Sequence, residues 1–193
     1  MKAERAALLV IDVQRGFDEP GWGPRNNRQA EANVSRLLAA WREAGRPVLH
    51  AQHVSVEPGS TLGPGQPGVE IKPEAEPHPG EPVFRKHVNS AFIGTELEAY
   101  LREHGIESLV MVGLTTNHCV STTARMAGNL GFETYVVEDA TATFDRVGPD
   151  GVLHPAELVH AVSLASLHGE FATVVTCAQL LGPRASSETK NTD

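Results

Sequence analysis

The chain alternates between short, continuously apolar runs and longer runs in which apolar residues recur every three or four positions. Runs of the first kind read as strands: AALLVIDV (6–13), RPVLHAQH (46–53), PVFRK (82–86), ESLVMVG (107–113), FETYVVED (132–139) and EFATVVT (170–176). Runs of the second kind read as helices. In NNRQAEANVSRLLAAWREAG (26–45), Ala30, Val34, Leu37, Leu38 and Trp41 form one stripe, and Gly45 supplies a stop. TELEAYLREHG (95–105) carries Leu97, Tyr100 and Leu101 on one face, HCVSTTARMAGNLG (118–131) follows the fourth strand, and PAELVHAVSLASLHG (155–169) opens on proline and closes on glycine.

Strands that are apolar at every position need cover on both faces. With helices between them, the connections are expected to be right-handed crossovers in a parallel sheet. The pattern therefore predicts an α/β fold, a Rossmann-like three-layer α/β/α arrangement on a parallel sheet of about six strands. A chain of 193 residues suits one domain, placed at 1–183, with the polar residues 184–193 expected to be a flexible tail. Residues 54–81 are rich in proline and glycine and are expected to be an irregular lid loop, since long loops in compact domains usually carry function.

Composition narrows the partners. The chain is 40% hydrophobic with a formal net charge of −8, from 16 basic and 24 acidic residues. That balance disfavours nucleic acid and anionic membrane, both of which need basic surface, and says nothing specific about a small-molecule substrate. No apolar run reaches the roughly 20 residues of a membrane span. The N-terminal MKAERAALLVIDV lacks the long apolar stretch of a secretory leader. Cys119 and Cys177, the two cysteines, make neither a disulfide framework nor a zinc motif. A reduced, cytoplasmic setting is expected, with no cofactor and no metal.

In open parallel sheets, ligands bind beyond the carboxyl ends of the strands. Those ends carry Asp12; then His50, Gln52 and His53; then Lys86; then the turn GLTTNHCV (113–120) with Cys119; then Asp139. Asp12, Lys86 and Cys119 are remote in sequence but are expected to converge, and together they supply a base, a cation and a nucleophile. A helix N-terminus and a lysine would lower the thiol's pKa, to roughly 3.5–7.5 in the strongest cases. N–H groups of the 116–119 turn could hold an oxyanion. Taken singly, each residue has a plainer reading: a buried small hydrophobe for the cysteine, a turn cap for Asp12, a surface lysine for Lys86. Cys177 has no such company and reads as core.

Three motifs in order, D-x-Q-x-x-F at 12–17, K-x-x-x-S-A-F-x-G-T at 86–95 and G-L-x-T-x-x-C-V at 113–120, resemble those of the isochorismatase-like cysteine hydrolase superfamily. The similarity runs over most of 6–176. It implies Asp12 as general base, Lys86 as its charged partner and Cys119 as nucleophile. It also implies a cis peptide before the motif threonine, placed at Thr115–Thr116, an oxyanion hole from the N–H groups of Thr116 and Cys119, and a homo-oligomer. Phe17, His53, Phe92 and Thr115 are the expected substrate-binding residues, with Trp22 as a further candidate for an apolar wall. Nicotinamidases of this superfamily bind a metal through a D-x-H motif at the second strand. HAQHVS offers no aspartate there, and His50 and His53 fall on opposite strand faces.

The resemblance implies hydrolysis of a C–N bond in a small amide, ureido or carbamoyl compound through a cysteine acyl-enzyme. The alternatives are an isochorismatase-type vinyl ether hydrolase and a non-hydrolytic thiol protein serving redox sensing or binding. GWGPRN (21–26) lacks the third glycine of a dinucleotide fingerprint, and no acidic residue ends the second strand to hold a ribose.

Overall fold

The computed structural model describes residues 6–182. Six parallel strands form one sheet: β1 (Ala7–Ile11), β2 (Val48–His53), β3 (Val83–Lys86), β4 (Ser108–Leu114), β5 (Glu133–Ala142) and, after a short hairpin, a last strand at Thr173–Val175. The hairpin pairs β6 (Arg146–Val147) with β7 (Leu153–His154), so the last strand is β8. The sheet order is β3-β2-β1-β4-β5-β8. Helices α1 (Ala30–Glu43), α2 (Leu97–Glu103), α3 (Ser121–Asn129), α4 (Ala156–Leu167) and α5 (Cys177–Leu181) cover its two faces.

The two-residue period of a strand sorts the apolar side chains between those faces. Ala7, Leu9 and Ile11 of β1, with Leu109 and Met111 of β4, pack with Leu97, Leu101, Val120, Ala124, Ala127, Leu164 and Leu167 from the α2, α3 and α4 side. Leu8, Val10, Val110 and Val112 point the other way, onto Val34, Leu37, Leu38 and Trp41 of α1 and Cys177 at the start of α5. Trp41 is fixed as well as buried, because its indole N–H donates to the Ala6 carbonyl at 2.9 Å.

Strand order reverses between β1 and β4: successive strands run outward through β2 and β3 on one side and through β5 and β8 on the other. Crossovers on opposite faces leave a crevice at that switch point. The residues that follow β1 and β4 are Asp12 and the 115–120 turn. Close approach of these strands requires Gly113, whose φ is +117°; a Cβ there would lie 1.9 Å from the Ile11 carbonyl oxygen.

Several boundaries differ from the pattern-based expectation. β5 runs past Asp139 to Ala142, because a register shift between Met111 and Gly113 lets Thr141 and Ala142 rejoin β4. The helix expected over 118–131 begins as a wide π turn, Thr116–Val120, and becomes regular only at Ser121. β8 is shorter than its apolar run, and the hairpin and α5 were not foreseen. Within 54–81, short 3-10 turns form at Pro67–Val69 and Pro73–Ala75. The expected tail, 184–193, lies outside the described residues.

Candidate active site

Asp12 sits one residue past β1 in the left-handed region, φ +50°, a conformation asparagine and aspartate tolerate better than most side chains. Its N–H still donates to Ala51 O at 2.9 Å, and its own carbonyl accepts from Gln14 N–H at 2.9 Å, closing a tight turn. The motif glutamine makes this turn rigid. Gln14 Nε2 donates to the carbonyls of His53 (2.9 Å) and Val69 (2.8 Å), and its Oε1 accepts from His53 N–H at 2.9 Å. One buried amide thus ties the end of β1 to the end of β2 and to the long loop.

Lys86, the last residue of β3, is fully buried. Its ammonium lies 2.6 Å from Asp12 Oδ2, donates to Cys119 Sγ at 3.3 Å and to Val88 O at 3.2 Å, and faces His53 Nδ1 at 3.2 Å. A buried ammonium needs this many acceptors. Asp12, also fully buried, has no well-directed hydrogen-bond donor on either carboxylate oxygen. Among the described residues, Lys86 is the cation paired with it. The three residues expected to converge do so.

Cys119 lies in the π turn with its thiol pointing back to the sheet, 7% exposed. Its Sγ also approaches Asn89 Oδ1 at 3.7 Å. The N–H groups of His118 and Val120 both donate to the Thr115 carbonyl, at 3.1 and 3.2 Å, which gives the turn its width. The cis peptide bond is Leu114–Thr115, one residue earlier than the resemblance placed it. Thr116 is buried, and its Oγ1 meets His160 Nδ1 of α4 at 2.9 Å, while Thr143 Oγ1 donates to Asn117 Oδ1.

The electrostatics correct one expectation. Burial, reinforced by the Asp12 charge, pushes the Cys119 thiol up to about 12, although Lys86 pulls the other way. A buried site holding one ammonium and one carboxylate is neutral, and a thiolate would leave it with an uncompensated negative charge. The resting state is therefore a thiol. Burial likewise raises Asp12 above the ordinary carboxylate range, opposed by Lys86. His53 is lowered by burial and then by Lys86, so its ring is neutral beside the ammonium.

Above the thiol is a small cavity of about 100 Å³, lined by Asp12, Phe17, Trp22, His53, Leu62, Asn89, Thr115, His118 and Cys119. Phe17, His53 and Thr115 are where the sequence analysis expected them. Phe92 is not: it stacks on Phe132 at 5.8 Å against the α2–α3 core, because the chain after Ser90 turns inward to cover the sheet. Trp22 lines the cavity, tilted on Phe17 at 4.9 Å, with its indole N–H donating to Gly16 O at 2.9 Å. Leu62 brings the 54–81 loop into the wall. Asn89, Leu62 and His118 were missed because no periodicity or charge marks them; the position of His118 beside Cys119 was the only available clue. His50 is buried and engaged with Glu81 at 2.9 Å, away from the cavity.

Asp12, His53 and Cys119 place possible metal-ligand atoms within 4.8 Å of one another. The protein's own cation, the Lys86 ammonium, already contacts each of these three donors.

The fold and this buried cysteine–lysine–aspartate cluster define a hydrolase of the α/β/α cysteine class, and comparison with known proteins gives its family. The isochorismatase domain profile matches residues 6–179. A crystal structure of an isochorismatase-family hydrolase from Chromobacterium violaceum superposes with a TM-score of 0.90 at 50% identity, covering 94% of each chain. The isochorismatase family protein YrdC of Bacillus subtilis is 48% identical over 92% of this chain and 95% of its own. More distant relatives include nicotinamidase 3 of Arabidopsis thaliana, 31% identical over 91% of this chain and 86% of its own. Streptothricin hydrolase of Streptomyces noursei is 36% identical over 76% and 58%, and ureidoacrylate amidohydrolase of Variovorax paradoxus 30% identical over 73% and 70%. The chain belongs to the isochorismatase family of hydrolases.

Proposed function

We propose that this protein is an amidohydrolase that cleaves a non-peptide C–N bond in a small amide, ureido or carbamoyl compound through a covalent Cys119 intermediate. The observation that carries the reading is the Lys86 ammonium held between Asp12 Oδ2 at 2.6 Å and Cys119 Sγ at 3.3 Å. Relatives whose names denote action on nicotinamide and ureidoacrylate support an amide bond as the target.

In this reading Cys119 Sγ attacks the carbonyl carbon while its proton passes to Asp12. The S–C bond forms, and the carbonyl electrons move to oxygen, held by the N–H groups of Thr116 and Cys119. Collapse breaks the C–N bond, and Asp12 returns the proton to the leaving nitrogen. Water then attacks the thioester, with Asp12 again accepting a proton, and releases the acid and the thiol. Lys86 keeps the carboxylate ionised despite its burial and compensates the negative charge that develops at sulfur. Because the resting group is a thiol, proton transfer accompanies attack instead of preceding it. No step uses a metal.

The same reading takes the protein to act in the cytoplasm, where its two unpaired cysteines stay reduced, and to self-associate. Among the described residues, no helix is long and apolar enough to cross a membrane.

The test is a panel of small amides, ureas and carbamoyl compounds assayed with wild type and Cys119→Ala. Loss of turnover in the variant by at least about a thousandfold is expected, with a thioester adduct visible by intact mass in wild type. Activity is expected to survive exhaustive chelation. Undiminished hydrolysis by Cys119→Ala would overturn the mechanism. A wild type inert on every compound but readily oxidised at Cys119 would favour the thiol-sensor reading.

A further inference from the structure

The turn that carries Cys119 is held from outside as well as from within. Thr116, which opens it, is fully buried, and its Oγ1 lies 2.9 Å from Nδ1 of His160 on α4. One residue on, Asn117 Oδ1 accepts the Thr143 hydroxyl, and Thr143 N–H in turn donates to Asn26 Oδ1 at 2.7 Å. A π turn is a rare form of helix that occurs as single isolated turns. These two side-chain ties fix it against α4 and the end of β5.

The surroundings of His160 decide which way its bond to Thr116 runs. Burial lowers the pKa of the ring, so it is neutral near neutral pH, and a hydrogen bond to the Glu138 carbonyl opposes that shift. A carbonyl can only accept. With Nδ1 facing Thr116, the nitrogen that donates to Glu138 is Nε2. Asn27 Nδ2 stands 3.4 Å from Nε2, but its two hydrogens go to the carbonyls of Glu138 and Thr141, each at 2.8 Å. Nε2 therefore keeps its proton, Nδ1 is a bare acceptor, and the Thr116 hydroxyl donates to it. His160 is not part of the cavity wall, so whatever it does for the reaction passes through Thr116.

We infer that His160 is a positioning residue for the oxyanion hole: by accepting the Thr116 hydroxyl, it fixes the turn whose N–H groups, at Thr116 and Cys119, meet the oxyanion. This rests on the acyl-transfer reading of the site and adds to it a residue 44 positions from Thr116 in the chain. The oxyanion carries its charge only in the transition state and the tetrahedral intermediate. Loss of the tie is therefore read in kcat, with KM little changed.

The test compares full-length wild type, His160→Ala, His160→Asn and Thr116→Val. The substrate is the member of the amide, urea and carbamoyl panel that wild type hydrolyses fastest. His160→Ala is expected to lose roughly 10- to 100-fold in kcat, with KM within about threefold. Asparagine carries a carboxamide oxygen where histidine has Nδ1, so His160→Asn is expected to regain part of that loss. Thr116→Val removes the donor, and in the double variant with His160→Ala the losses are expected to combine to less than their product. Alkylation by iodoacetamide displaces iodide and makes no oxyanion. In a Cys177→Ser background its rate at Cys119 is expected to stay within about threefold of wild type in His160→Ala. Unchanged kcat in His160→Ala, an equal fall in hydrolysis and alkylation, a change confined to KM, or fully multiplicative losses would overturn the proposal.

Propionaldehyde supplies a readout that needs no turnover. The thiol adds to its carbonyl: the S–C bond forms, the C=O π bond breaks and the thiol proton moves to oxygen, and the adduct blocks alkylation. Protection is expected in wild type and is expected to need at least about tenfold more aldehyde in His160→Ala. If no panel compound is hydrolysed, that difference still supports the role of His160 although the amidohydrolase reading has failed. A wild type left unprotected, or equal protection in both proteins, rejects the role. Melting temperatures check folding. Should His160→Ala fail to fold, Thr116→Val carries the same expectations, because it removes the same bond from its other end.

Discussion

Asp12, Lys86 and Cys119 form a three-charge problem with room for two charges. Asp12 and Lys86 neutralise each other at 2.6 Å, and the thiol, up at about 12, stays protonated. Reactivity toward a neutral alkylating agent reads this directly, because only thiolate reacts. In a Cys177→Ser background, alkylation of Cys119 by iodoacetamide is expected to be slow at pH 7 and to rise about tenfold per pH unit up to pH 10. Asp12→Asn removes the negative charge that opposes ionisation, so its profile is expected to shift downward by roughly one to three units. Alkylation in that variant becomes faster at neutral pH while hydrolysis is lost. Lys86→Met is expected to shift the profile upward. A wild-type midpoint below pH 8, or a downward shift in Lys86→Met, would contradict this account.

At the scale of elements, the site depends on how close β1 and β4 come. Gly113 permits that contact, and the register shift beside it lets β5 follow. Gly113→Ala would force a Cβ against Ile11 O in a backbone conformation L residues rarely adopt. The expected cost is roughly 2–4 kcal/mol, read as a lower urea midpoint at unchanged slope. Activity falls too, since Asp12 and Cys119 lie just beyond the two strands. A variant with wild-type stability would show that the strands can separate without cost. The long loop is held by comparable specificity: Lys72, itself buried, bonds Glu31 of α1 at 2.8 Å and Asp18 at 2.5 Å, and Arg42 of α1 grips Glu81. These ties and Leu62 in the cavity wall make the loop part of the site.

For the whole molecule, the same ion pairs set the acid limit of stability. Glu31 is held at about 2 although burial opposes it, by Arg25 and then Lys72, and Glu81 at about 2, also against burial, by Arg42 first. Both folded values lie below the ordinary 4.5. The unfolded chain therefore binds more protons, and the stabilisation present above pH 4.5 is lost as pH falls toward 2. Asp12, raised by burial, acts in the opposite sense over its own range. Urea midpoints measured from pH 6 down to pH 3 are expected to fall, and to fall less steeply in Glu81→Gln, which has no proton to gain. Equal slopes in the two proteins would remove Glu81 from the explanation.

The outer surface makes a further prediction at this scale. Leu158 and Val162 of α4 are 50% and 56% exposed, and Val147, Val152 and Leu153 of the adjoining hairpin 66%, 51% and 58%. Exposed apolar side chains of this kind favour a protein partner, and self-association through them is expected. Light scattering at micromolar concentration is expected to give a dimer or larger assembly, and Leu158→Glu/Val162→Glu a monomer. A monomeric wild type would reject the idea.

What the sequence by itself determined is the six strands of the sheet, the four longer helices and the reactive side chains at the strand ends. Unbroken apolar strands call for a parallel sheet covered on both faces, and three motifs at strand ends carry Asp12, Lys86 and Cys119, which the fold brings together. Phe17, His53 and Thr115 were legible for the same reason, because each stands within a few residues of such an end. Tertiary structure alone decided the rest. Phe92 went to the core because packing against Phe132 competes with the cavity for the same ring, and no local pattern ranks those two fates. The thiol's pKa went up because burial and the Asp12 charge outweigh a lysine 3.3 Å away, a balance that depends on depth and distance. Asn89, Leu62 and His118 reached the site through loops and a π turn, segments too short and irregular to leave a period in the sequence. Periodicity specifies which face a residue presents; only the folded chain specifies what meets it there.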